Sequence, residues 1–371
     1  MKLLFVVTED WYFLSHRMPT VRGAQQAGFD VAVVTSDGPS RAAIEAQGVR
    51  VIPFSFDRRS LKAGQAVKQV AALTDIYKAE KPDVVHHIAM KPVLFGALAA
   101  WRAGVPRVVN AFAGLGYVFS ADTGLARAVR LFLIPAFRLL LQRPGSVTLF
   151  QNADDLALLQ KLGAVKNDTV LIRGSGVETD HLRVRTLPDT PDFICAFAGR
   201  MIGIKGLATM QEAFMRLRQE APQIKLWLCG QPDPGNPGSW TLEQIREWTD
   251  ASPNVIYKGH SDMAAIWAQA HVALQPSYGG EGVPKAMLEA AASGCAIIAT
   301  DVPGCREVVE EGRSGFLVPP RNAALLAERI LLLSRDRDLC RAMGLAGRRL
   351  VEGDLSATVV TEKMRALYQS L

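Results

Sequence analysis

Short apolar runs alternate with longer amphipathic stretches along this chain, and this alternation constrains the fold more than any other feature. Each apolar run has the length of a buried strand, and the stretches between the runs have the spacing of helices. Parallel strands need long crossover connections, so the alternation predicts a parallel sheet with helices on both faces. The first series of predicted strands is Leu3–Val7, Val31–Thr35, Val49–Phe54, Val84–His87, Val108–Asn110 and Val147–Phe150.

The alternation stops after Ile172 and resumes at Phe193. A Gly-Ser-Gly turn and a polar segment with a proline lie between the two series, as is typical of a loop. We therefore predict an α/β protein with two Rossmann-like domains, residues 1–175 and 193–354, joined by a linker at residues 176–192. The second series comprises strands Phe193–Ala198, Ile224–Leu228, Val255–Tyr257, Val272–Leu274, Ala296–Ala299 and Phe316–Val318, and helices Ala323–Leu333, Leu339–Leu350 and Ala357–Tyr368.

Two glutamates, Glu281 and Glu289, lie on either side of a predicted helix start. Gly282 allows a ligand to approach the backbone closely, and Pro284 is suited to the first position of a helix. Glu281 should then precede the helix, with Glu289 about two turns inside it. Free amides near Gly282 and Val283 favour a phosphate, and at about 1.5 Å per residue the two carboxylates lie at most roughly 12 Å apart. This arrangement predicts a clamp for a nucleotide sugar.

The stretch Glu281-Gly-Val-Pro-Lys-Ala-Met-Leu-Glu289 resembles the E-x7-E motif of retaining glycosyltransferases of the GT-B type, whose two Rossmann-like domains face a central cleft. Upstream, Gly199-Arg-Met-Ile-Gly-Ile-Lys-Gly206 is similar to the paired Arg and Lys of the same family. The resemblance also implies that the helix within residues 357–371 returns to the first domain. The family pattern continues through Ala290-Ala-Ala-Ser-Gly-Cys-Ala-Ile-Ile-Ala-Thr-Asp-Val-Pro-Gly304, Glu307 and Gly312-Arg-Ser-Gly-Phe-Leu-Val-Pro319.

The first half of the chain resembles one subgroup of this family, which extends lipid-linked sugars during bacterial glycan assembly. The segments that carry this resemblance are Phe13-Leu-Ser-His-Arg-Met-Pro19, Lys91-Pro-Val-Leu-Phe-Gly96 and Gly114-Leu-Gly-Tyr-Val-Phe119. The subgroup is similar to N-acetylgalactosaminyl-type transferases that act on undecaprenyl-diphosphate sugars. The resemblance therefore implies a polyprenyl-diphosphate-linked saccharide as the acceptor.

The resemblance assigns roles to the residues of the predicted donor site. It implies that Glu289 binds the ribose hydroxyls and Glu281 the transferred hexose, with neither acting as a covalent nucleophile. Arg200 and Lys205 lie on a glycine-containing loop after a strand, where a guanidinium fork and an ammonium group stabilise the negative charge of a leaving diphosphate. The predicted donor site is Gly199, Arg200, Lys205, Glu281, Gly282, Val283 and Glu289, and its predicted catalytic residues are Arg200, Lys205 and Glu281.

The predictions for an acceptor site rest on strand ends in the first domain. His16 and Arg17 follow the first strand and Lys91 follows a neighbouring one, so these groups suit an acceptor that carries phosphates. The alternative is that they are solvated charges at helix starts and loops. Many relatives have a histidine after the strand that ends here at Asn110, and either Asn110 or the glycines of the following loop are expected to take its role. The predicted acceptor contacts are His16, Arg17, His87, Lys91 and Asn110, and the alternative for His87 is a hydrogen-bonded histidine at a strand end.

Neither a metal nor a cofactor is expected, since a UDP-sugar would be a substrate. Asp336-Arg-Asp338 matches the D-x-D of another glycosyltransferase fold that holds manganese, but it lies between two helical patterns, where Asp336 is suited to an N-cap. His86 and His87 are adjacent on a strand and face opposite sides, so they cannot share one ion. Gly114-Leu-Gly116 lacks the third glycine of G-x-G-x-x-G, which disfavours a nicotinamide dehydrogenase.

The formal charge of +6 and a pI near 9.1 indicate an anionic partner. Nucleotide diphosphates, anionic lipid headgroups and nucleic acids all qualify, but the basic residues are dispersed and not interleaved with aromatic residues, which disfavours nucleic acid. The start of the chain becomes acidic too soon for a signal peptide, and no apolar stretch has the length of a transmembrane helix. Five cysteines, all from Cys195 onward and without a C-x-x-C pair, fit a reducing cytosol.

Residues Leu125 to Arg143 are the candidate membrane contact. A basic amphipathic helix can lie in an anionic interface, and a helix that packs on the core with solvated arginines has the same pattern. The sequence leaves both interpretations open. The apolar face consists of Leu125, Val129, Phe132, Leu133, Ala136, Phe137, Leu140 and Leu141, beside Arg127, Arg130, Arg138 and Arg143.

We therefore predict a metal-independent, retaining glycosyltransferase that moves a hexose or N-acetylhexosamine from a UDP-sugar to a polyprenyl-diphosphate-linked saccharide. Its expected partners are the nucleotide sugar, the lipid-linked acceptor and an anionic membrane surface. It is expected in the cytoplasm, bound peripherally at the inner face of the cell membrane. A transferase with a soluble acceptor and a non-catalytic subunit that binds sugar nucleotides are the alternatives. The joint presence of Arg200, Lys205, Glu281 and Glu289 argues against the second.

Overall fold

The computed structural model describes residues 1–56, 63–120, 123–166, 168–184 and 190–371. The chain divides into two compact units. Unit 1 consists of Met1–Gly176 with Ala357–Leu371, and unit 2 of Val177–Ser356. Each unit is built around a parallel sheet, which confirms the predicted α/β fold with two Rossmann-like domains.

The described part of unit 1 contains a parallel sheet of seven strands in the order β3-β2-β1-β4-β5-β6-β7. The first six strands were predicted, whereas β7 was not, because it is a half-buried edge strand of three residues with no long apolar run. The strands are β1 (Lys2–Val6), β2 (Asp30–Thr35), β3 (Arg50–Pro53), β4 (Val84–Ile88), β5 (Arg107–Phe112), β6 (Ser146–Phe150) and β7 (Thr169–Leu171).

Helices cover both faces of the unit 1 sheet, because successive residues of a buried strand point to opposite sides. Leu3 and Phe5 belong to one apolar core and Leu4 and Val6 to another. The helices of unit 1 that precede unit 2 are α1 (Asp10–Gln26), α2 (Arg41–Glu45), α3 (Ala63–Glu80), α4 (Met90–Ala103), α5 (Gly116–Ser120), α6 (Gly124–Leu141) and α7 (Ala153–Lys161).

The described part of unit 2 contains a parallel sheet of six strands in the order β10-β9-β8-β11-β12-β13. Both sheets therefore reverse their strand order at one place, between β1 and β4 in unit 1 and between β8 and β11 in unit 2. In open α/β sheets, ligands bind at such switch points, beyond the carboxyl ends of the strands. The strands are β8 (Phe193–Ala198), β9 (Ile224–Cys229), β10 (Val255–Gly259), β11 (Val272–Gln275), β12 (Ala296–Thr300) and β13 (Gly315–Val318).

The C-terminal helix, α15 (Ala357–Gln369), packs on α1 in unit 1. Gly23 allows this contact, since a Cβ atom there would lie 2.8 Å from the carbonyl oxygen of Thr361. The helices of unit 2 are α8 (Leu207–Glu220), α9 (Leu242–Ala251), α10 (Met263–Trp267), α11 (Lys285–Ala292), α12 (Pro303–Arg306), α13 (Ala323–Arg335) and α14 (Arg337–Glu352).

The segment predicted as the linker, residues 176–192, is attached to unit 2 over much of its described length. The amide of Val177 donates to the carbonyl oxygen of Leu355 at 3.1 Å. Arg348 donates to the carbonyl oxygens of Thr179 and Leu182. Residues 185–189 of this prediction lie outside the described residues.

Candidate functional site

The loops after β8 and β11 meet at the switch point of unit 2. The first loop runs from Gly199 through a 3-10 turn at Gly203–Lys205, and the second joins β11 to α11. A backbone hydrogen bond joins them, because the amide of Tyr278 donates to the carbonyl oxygen of Ile204 at 3.1 Å. The switch point therefore places Arg200 and Lys205 near Glu281, residues that are far apart in sequence.

Two glycines allow this close packing of loops. Gly206 has a φ of +83°, and a Cβ atom there would lie 2.2 Å from the carbonyl oxygen of Pro276. Gly230, with a φ of +132°, would place a Cβ atom 1.9 Å from the carbonyl oxygen of Gly199. Only glycine fits such positions without moving the neighbouring backbone.

Lys205 and Glu281 form an ion pair at the centre of this site. The Nζ atom of Lys205 lies 2.5 Å from Oε1 of Glu281, and each side chain is 16% exposed. Partial burial screens the pair from water, so its electrostatic interaction is stronger than that of a surface pair. The contact joins the residue predicted to hold the diphosphate to the one predicted to hold the hexose.

Arg200 pairs with Asp233, a residue that the sequence analysis did not assign to the site. Its Nη1 atom donates to Oδ2 of Asp233 at 2.6 Å. The backbone amide of Asp233 in turn donates to Oγ of Ser239 at 2.9 Å. The only sequence signal was the turn-rich segment Pro232–Gly238, which follows β9 and therefore lies at the same edge of the sheet.

The second glutamate of the E-x7-E stretch lies closer to the helix start than predicted. Helix α11 begins at Lys285, and Pro284 is its N-cap with a ψ of 121° instead of its first residue. Glu289 is the fifth residue of the helix, which places it about one turn inside and not two. Its Oε1 atom lies 3.3 Å from Nζ of Lys285, while Gly282 and Val283 are buried.

The switch point of unit 1 brings together the ends of β1 and β4, where His16, Arg17 and Lys91 were predicted. His16 stacks on Tyr12, with the two ring centroids 4.3 Å apart. Arg17 is only 4% exposed, and its Nη2 atom donates to the Tyr12 hydroxyl at 2.8 Å. Lys91 is half-buried in the first turn of α4.

Arg17 is a buried cation with a neutral partner. Its Nε atom has no hydrogen-bond partner among the described residues. The guanidinium also acts on His86, whose pKa lies well below its usual range because of burial first and then because of Arg17 and His87. Ala89, just before α4, has a φ of +78°, which is strained for a residue with a side chain. Strain and an incompletely satisfied buried cation coincide at this edge of the sheet.

His87 and Asn110 do not reach a surface where they could contact an acceptor, which corrects their predicted role. Both are fully buried, and Nδ1 of His87 donates to Oδ1 of Asn110 at 2.8 Å. The Tyr77 hydroxyl donates to Nε2 of His87 at 3.0 Å, and Asn110 donates to the Ser146 hydroxyl at 3.1 Å. Burial lowers the pKa of His87 to about 4, so this network stays neutral. The two residues connect strands and helices inside unit 1.

The adjacent histidines do face opposite sides of β4, as predicted. His86 lies 2.6 Å from the hydroxyl of Tyr368 on α15, whereas His87 contacts Tyr77 on α3. Asp336 is the N-cap of α14 and accepts a hydrogen bond from the amide of Leu339 at 2.8 Å. In the described parts of the chain, no group of three or more His, Cys, Asp or Glu is placed to hold a metal ion.

Comparison with known families identifies the chain. Residues 192–336 match the family described as glycosyl transferases group 1, and residues 2–151 match the family described as glycosyl transferase 4-like. The two matches fall on the two Rossmann-like domains. The chain belongs to the group 1 glycosyltransferases of the GT-B fold.

Curated relatives of this glycosyltransferase act in bacterial glycan biosynthesis. The N,N'-diacetylbacillosaminyl-diphospho-undecaprenol alpha-1,3-N-acetylgalactosaminyltransferase of Campylobacter jejuni is 27% identical over 348 residues, which cover 88% of this chain and 90% of the relative. The capsular polysaccharide biosynthesis glycosyltransferase CapM of Staphylococcus aureus is 23% identical, over 96% of this chain and 95% of the relative. These similarities support a role for this glycosyltransferase in bacterial polysaccharide assembly.

Solved structures share the fold. HepE of Anabaena, crystallised in complex with UDP and glucose, superposes with a TM-score of 0.79 at 18% identity, and all of each chain is covered. At this identity the similarity supports the fold of the glycosyltransferase and nothing finer.

The sequence left open whether helix α6 of the glycosyltransferase packs on the core or presents an apolar surface, and the helix does both. Phe137, Leu140 and Leu141 are buried in the core of unit 1. Leu125 and Phe132 are 69% and 80% exposed, although they were predicted on the same apolar face. The helix therefore has a core face and, next to it, an exposed apolar surface. Within the described residues, no helix combines the length and apolar character needed to cross a membrane.

Proposed function

We propose that this glycosyltransferase moves a hexose or N-acetylhexosamine from a UDP-sugar to a polyprenyl-diphosphate-linked saccharide, with retention of the anomeric configuration. The observation that carries the proposal is the switch point of unit 2, where Lys205 pairs with Glu281 across two adjoining loops and Arg200 lies on the first of these loops. A nucleoside diphosphate needs cations for its phosphates, and the sugar needs a carboxylate that accepts its hydroxyl hydrogen bonds. The switch point supplies both.

Arg200 and Lys205 are the proposed ligands of the donor diphosphate. In the structure Arg200 donates to Asp233 and Lys205 donates to Glu281. When the donor binds, its diphosphate oxygens would accept these hydrogen bonds in place of the two carboxylates. As the bond between the sugar C1 and the β-phosphate oxygen breaks, its electron pair remains on that oxygen, where the two cations stabilise the charge. The acceptor hydroxyl attacks the same face of the sugar and gives its proton to the departing phosphate. We propose no metal ion in this step.

Glu281 and Glu289 divide the rest of the donor in this proposal. Glu281 accepts hydrogen bonds from the hexose, next to the cation that holds the phosphate. Glu289, about one turn further into α11, binds the ribose hydroxyls. Each carboxylate lies close to a lysine, Glu281 beside Lys205 and Glu289 beside Lys285.

The acceptor is proposed to place its diphosphate at the switch point of unit 1. Arg17 presents a buried guanidinium there without a carboxylate partner among the described residues, and Lys91 lies at the start of the neighbouring helix. The Campylobacter relative has undecaprenol in its name, which supports a lipid-linked acceptor here. A diphosphate would supply the negative charge that the Arg17 guanidinium lacks beside the neutral hydroxyl of Tyr12.

Helix α6 is the proposed contact with the inner face of the membrane. Its exposed Leu125 and Phe132 would enter the interface beside Arg127 and Arg138, which attract anionic headgroups. Flotation with vesicles that contain phosphatidylglycerol should recover the wild-type protein at low salt and lose it at high salt. Phe132→Ser should weaken flotation, while Met215→Ser, on an exposed part of α8 in unit 2, serves as the control. Equal flotation of both variants would contradict the assignment.

A panel of nucleotide sugars tests the whole proposal. The protein is incubated with UDP-, GDP- and ADP-sugars, and thermal stability reports which one binds, since a ligand of the folded state raises stability by mass action. UDP-hexose or UDP-N-acetylhexosamine should stabilise the protein, and transfer to a saccharide on a short polyprenyl diphosphate should follow. Transfer at the same rate to the free saccharide would instead favour the soluble acceptor.

A further inference from the structure

An apolar pocket of about 320 Å³ lies between α3, α4 and α6 of unit 1. All its lining residues among those described are apolar, with the single exception of Arg102, which is exposed at the rim. A cavity of about 150 Å³ suffices for benzene, so this pocket has room for roughly a dozen carbon atoms. The walls that matter here are Val67 and Val70 of α3, Leu94 and Leu98 of α4, and Ala136 and Leu139 of α6.

The exposed apolar surface of α6 leads into this pocket. Leu125, Phe132 and Leu139 follow one another at intervals of seven residues, which brings side chains back to almost the same face of a helix. All three are more than half exposed, and Leu139 also lines the pocket. The proposed membrane contact and the pocket are therefore continuous.

The charge of this region indicates what occupies the pocket. Between Asp83 and Asp154 the only acidic residue is Asp122. Two copies of the same basic region would repel each other, which disfavours a second copy of this chain as the occupant. A lipid with an anionic head has the complementary charge and an apolar tail. The basic residues of the region are Lys91, Arg102, Arg107, Arg127, Arg130, Arg138 and Arg143.

Helix α4 connects the pocket to the proposed phosphate site. Lys91, Leu94 and Leu98 recur at the spacing of one helix face, so Leu94 is about 4.5 Å and Leu98 about 10 Å from Lys91 along the axis. We propose that the pocket binds the first isoprene units of the acceptor's polyprenyl tail, while the diphosphate lies near Lys91. This inference rests on the proposed function and adds the site that recognises the lipid.

Farnesyl diphosphate and inorganic diphosphate are the probes for this site. Wild-type protein should bind farnesyl diphosphate at least tenfold more tightly than inorganic diphosphate, because only the first fills the pocket. Ala136→Phe should fill the pocket from α6 and remove that difference without changing the affinity for inorganic diphosphate. Ala128→Phe is the matched control, since Ala128 is exposed on the same helix and is not among the pocket residues.

Photocrosslinking provides a test that does not depend on a variant's folding. A farnesyl diphosphate with a diazirine on its terminal unit should label peptides from residues 63–80, 90–103 and 124–141 of the wild-type protein. Labelling elsewhere, or equal affinity for the two probes, overturns the inference. A dimer of the wild-type protein that Ala136→Phe dissociates, without any effect on farnesyl diphosphate, would show that a second copy occupies the pocket and would also overturn it.

Different outcomes would contradict the pocket inference and the proposed function. If wild type and Ala136→Phe transfer equally well to the lipid-linked saccharide, the pocket inference is wrong and the proposed function stands. If farnesyl diphosphate binds in the pocket but the protein transfers only to free saccharides, the lipid-linked acceptor of the proposed function is wrong.

Discussion

The switch points of the two units hold their cations in different ways. In unit 2, Arg200 and Lys205 each form an ion pair with a carboxylate from another loop. In unit 1, Arg17 is more deeply buried, yet its guanidinium donates to the neutral hydroxyl of Tyr12, and it makes no ion pair within the described residues. An anion that binds in unit 2 must replace existing partners, whereas one that binds in unit 1 would supply a missing partner. A buried unpaired charge lowers the stability of the folded state, so the stability of unit 1 should depend more strongly on its ligand than that of unit 2.

The largest effect is expected from Lys205→Ala, because the charge on the leaving diphosphate then loses a cation in a partly buried site. Turnover should fall roughly 10²- to 10³-fold, as for the loss of one preorganised donor. Lys225→Ala is the matched control, since Lys225 lies near the start of β9 and donates to the carbonyl oxygen of Pro222. Steady-state kinetics with the donor that the panel selects measure both. Similar turnover of the two variants would remove Lys205 from the catalytic assignment.

A smaller effect, on the acceptor alone, is expected from Arg17→Gln. A hydrogen bond to a charged group contributes about 1.5–3 kcal/mol, so the KM for a diphosphate-linked acceptor should rise roughly 10- to 100-fold. The affinity for UDP should not change, and Arg17→Lys should recover part of the loss. The same saccharide without its diphosphate serves as the control substrate. If both substrates lose activity equally, Arg17 has a structural role beside His86 and Tyr12.

Glu281→Gln and Glu289→Gln should separate two functions within unit 2. Glu289→Gln should weaken UDP about tenfold, because neutral amides bind ribose hydroxyls less strongly than a carboxylate does. Glu281→Gln should leave the affinity for UDP close to that of wild type and lower the rate of sugar transfer. Titration calorimetry with UDP and transfer assays distinguish the two variants. An equal loss of UDP affinity in both would contradict the proposed division.

The smallest effect is expected from Asp233→Asn, which tests whether the ion pairs of unit 2 compete with the donor. Removal of this carboxylate frees Arg200 and lowers the repulsion of the diphosphate, so UDP should bind a few-fold more tightly, most clearly at low salt. Weaker binding would instead show that Asp233 positions Arg200 for the donor. Asp262→Asn, at the exposed N-cap of α10, is the control for a general change in charge.

The sequence predicted the elements that bury continuous apolar runs, because a run of apolar side chains is unfavourable in water unless it is buried. Twelve strands in two series were predicted, and each overlaps an observed strand. The edge strand β7 was not predicted, because its three half-buried residues do not form a long apolar run. The helix that carries Glu289 was taken to start at Pro284 when it starts at Lys285, and Glu289 lies about one turn inside it, whereas two turns were predicted.

The sequence by itself determined which residues have the chemistry of a donor site, because Arg200, Lys205, Glu281 and Glu289 occur in a recognisable order and spacing. Only the tertiary structure decided their partners. The pairing of Arg200 with Asp233, the burial of His87 and Asn110 in one network, and the exposure of Leu125 and Phe132 all depend on how elements pack. Local spacing specifies the face of one helix or strand, whereas a partner or an exposed surface depends on contacts between residues that are distant in the chain.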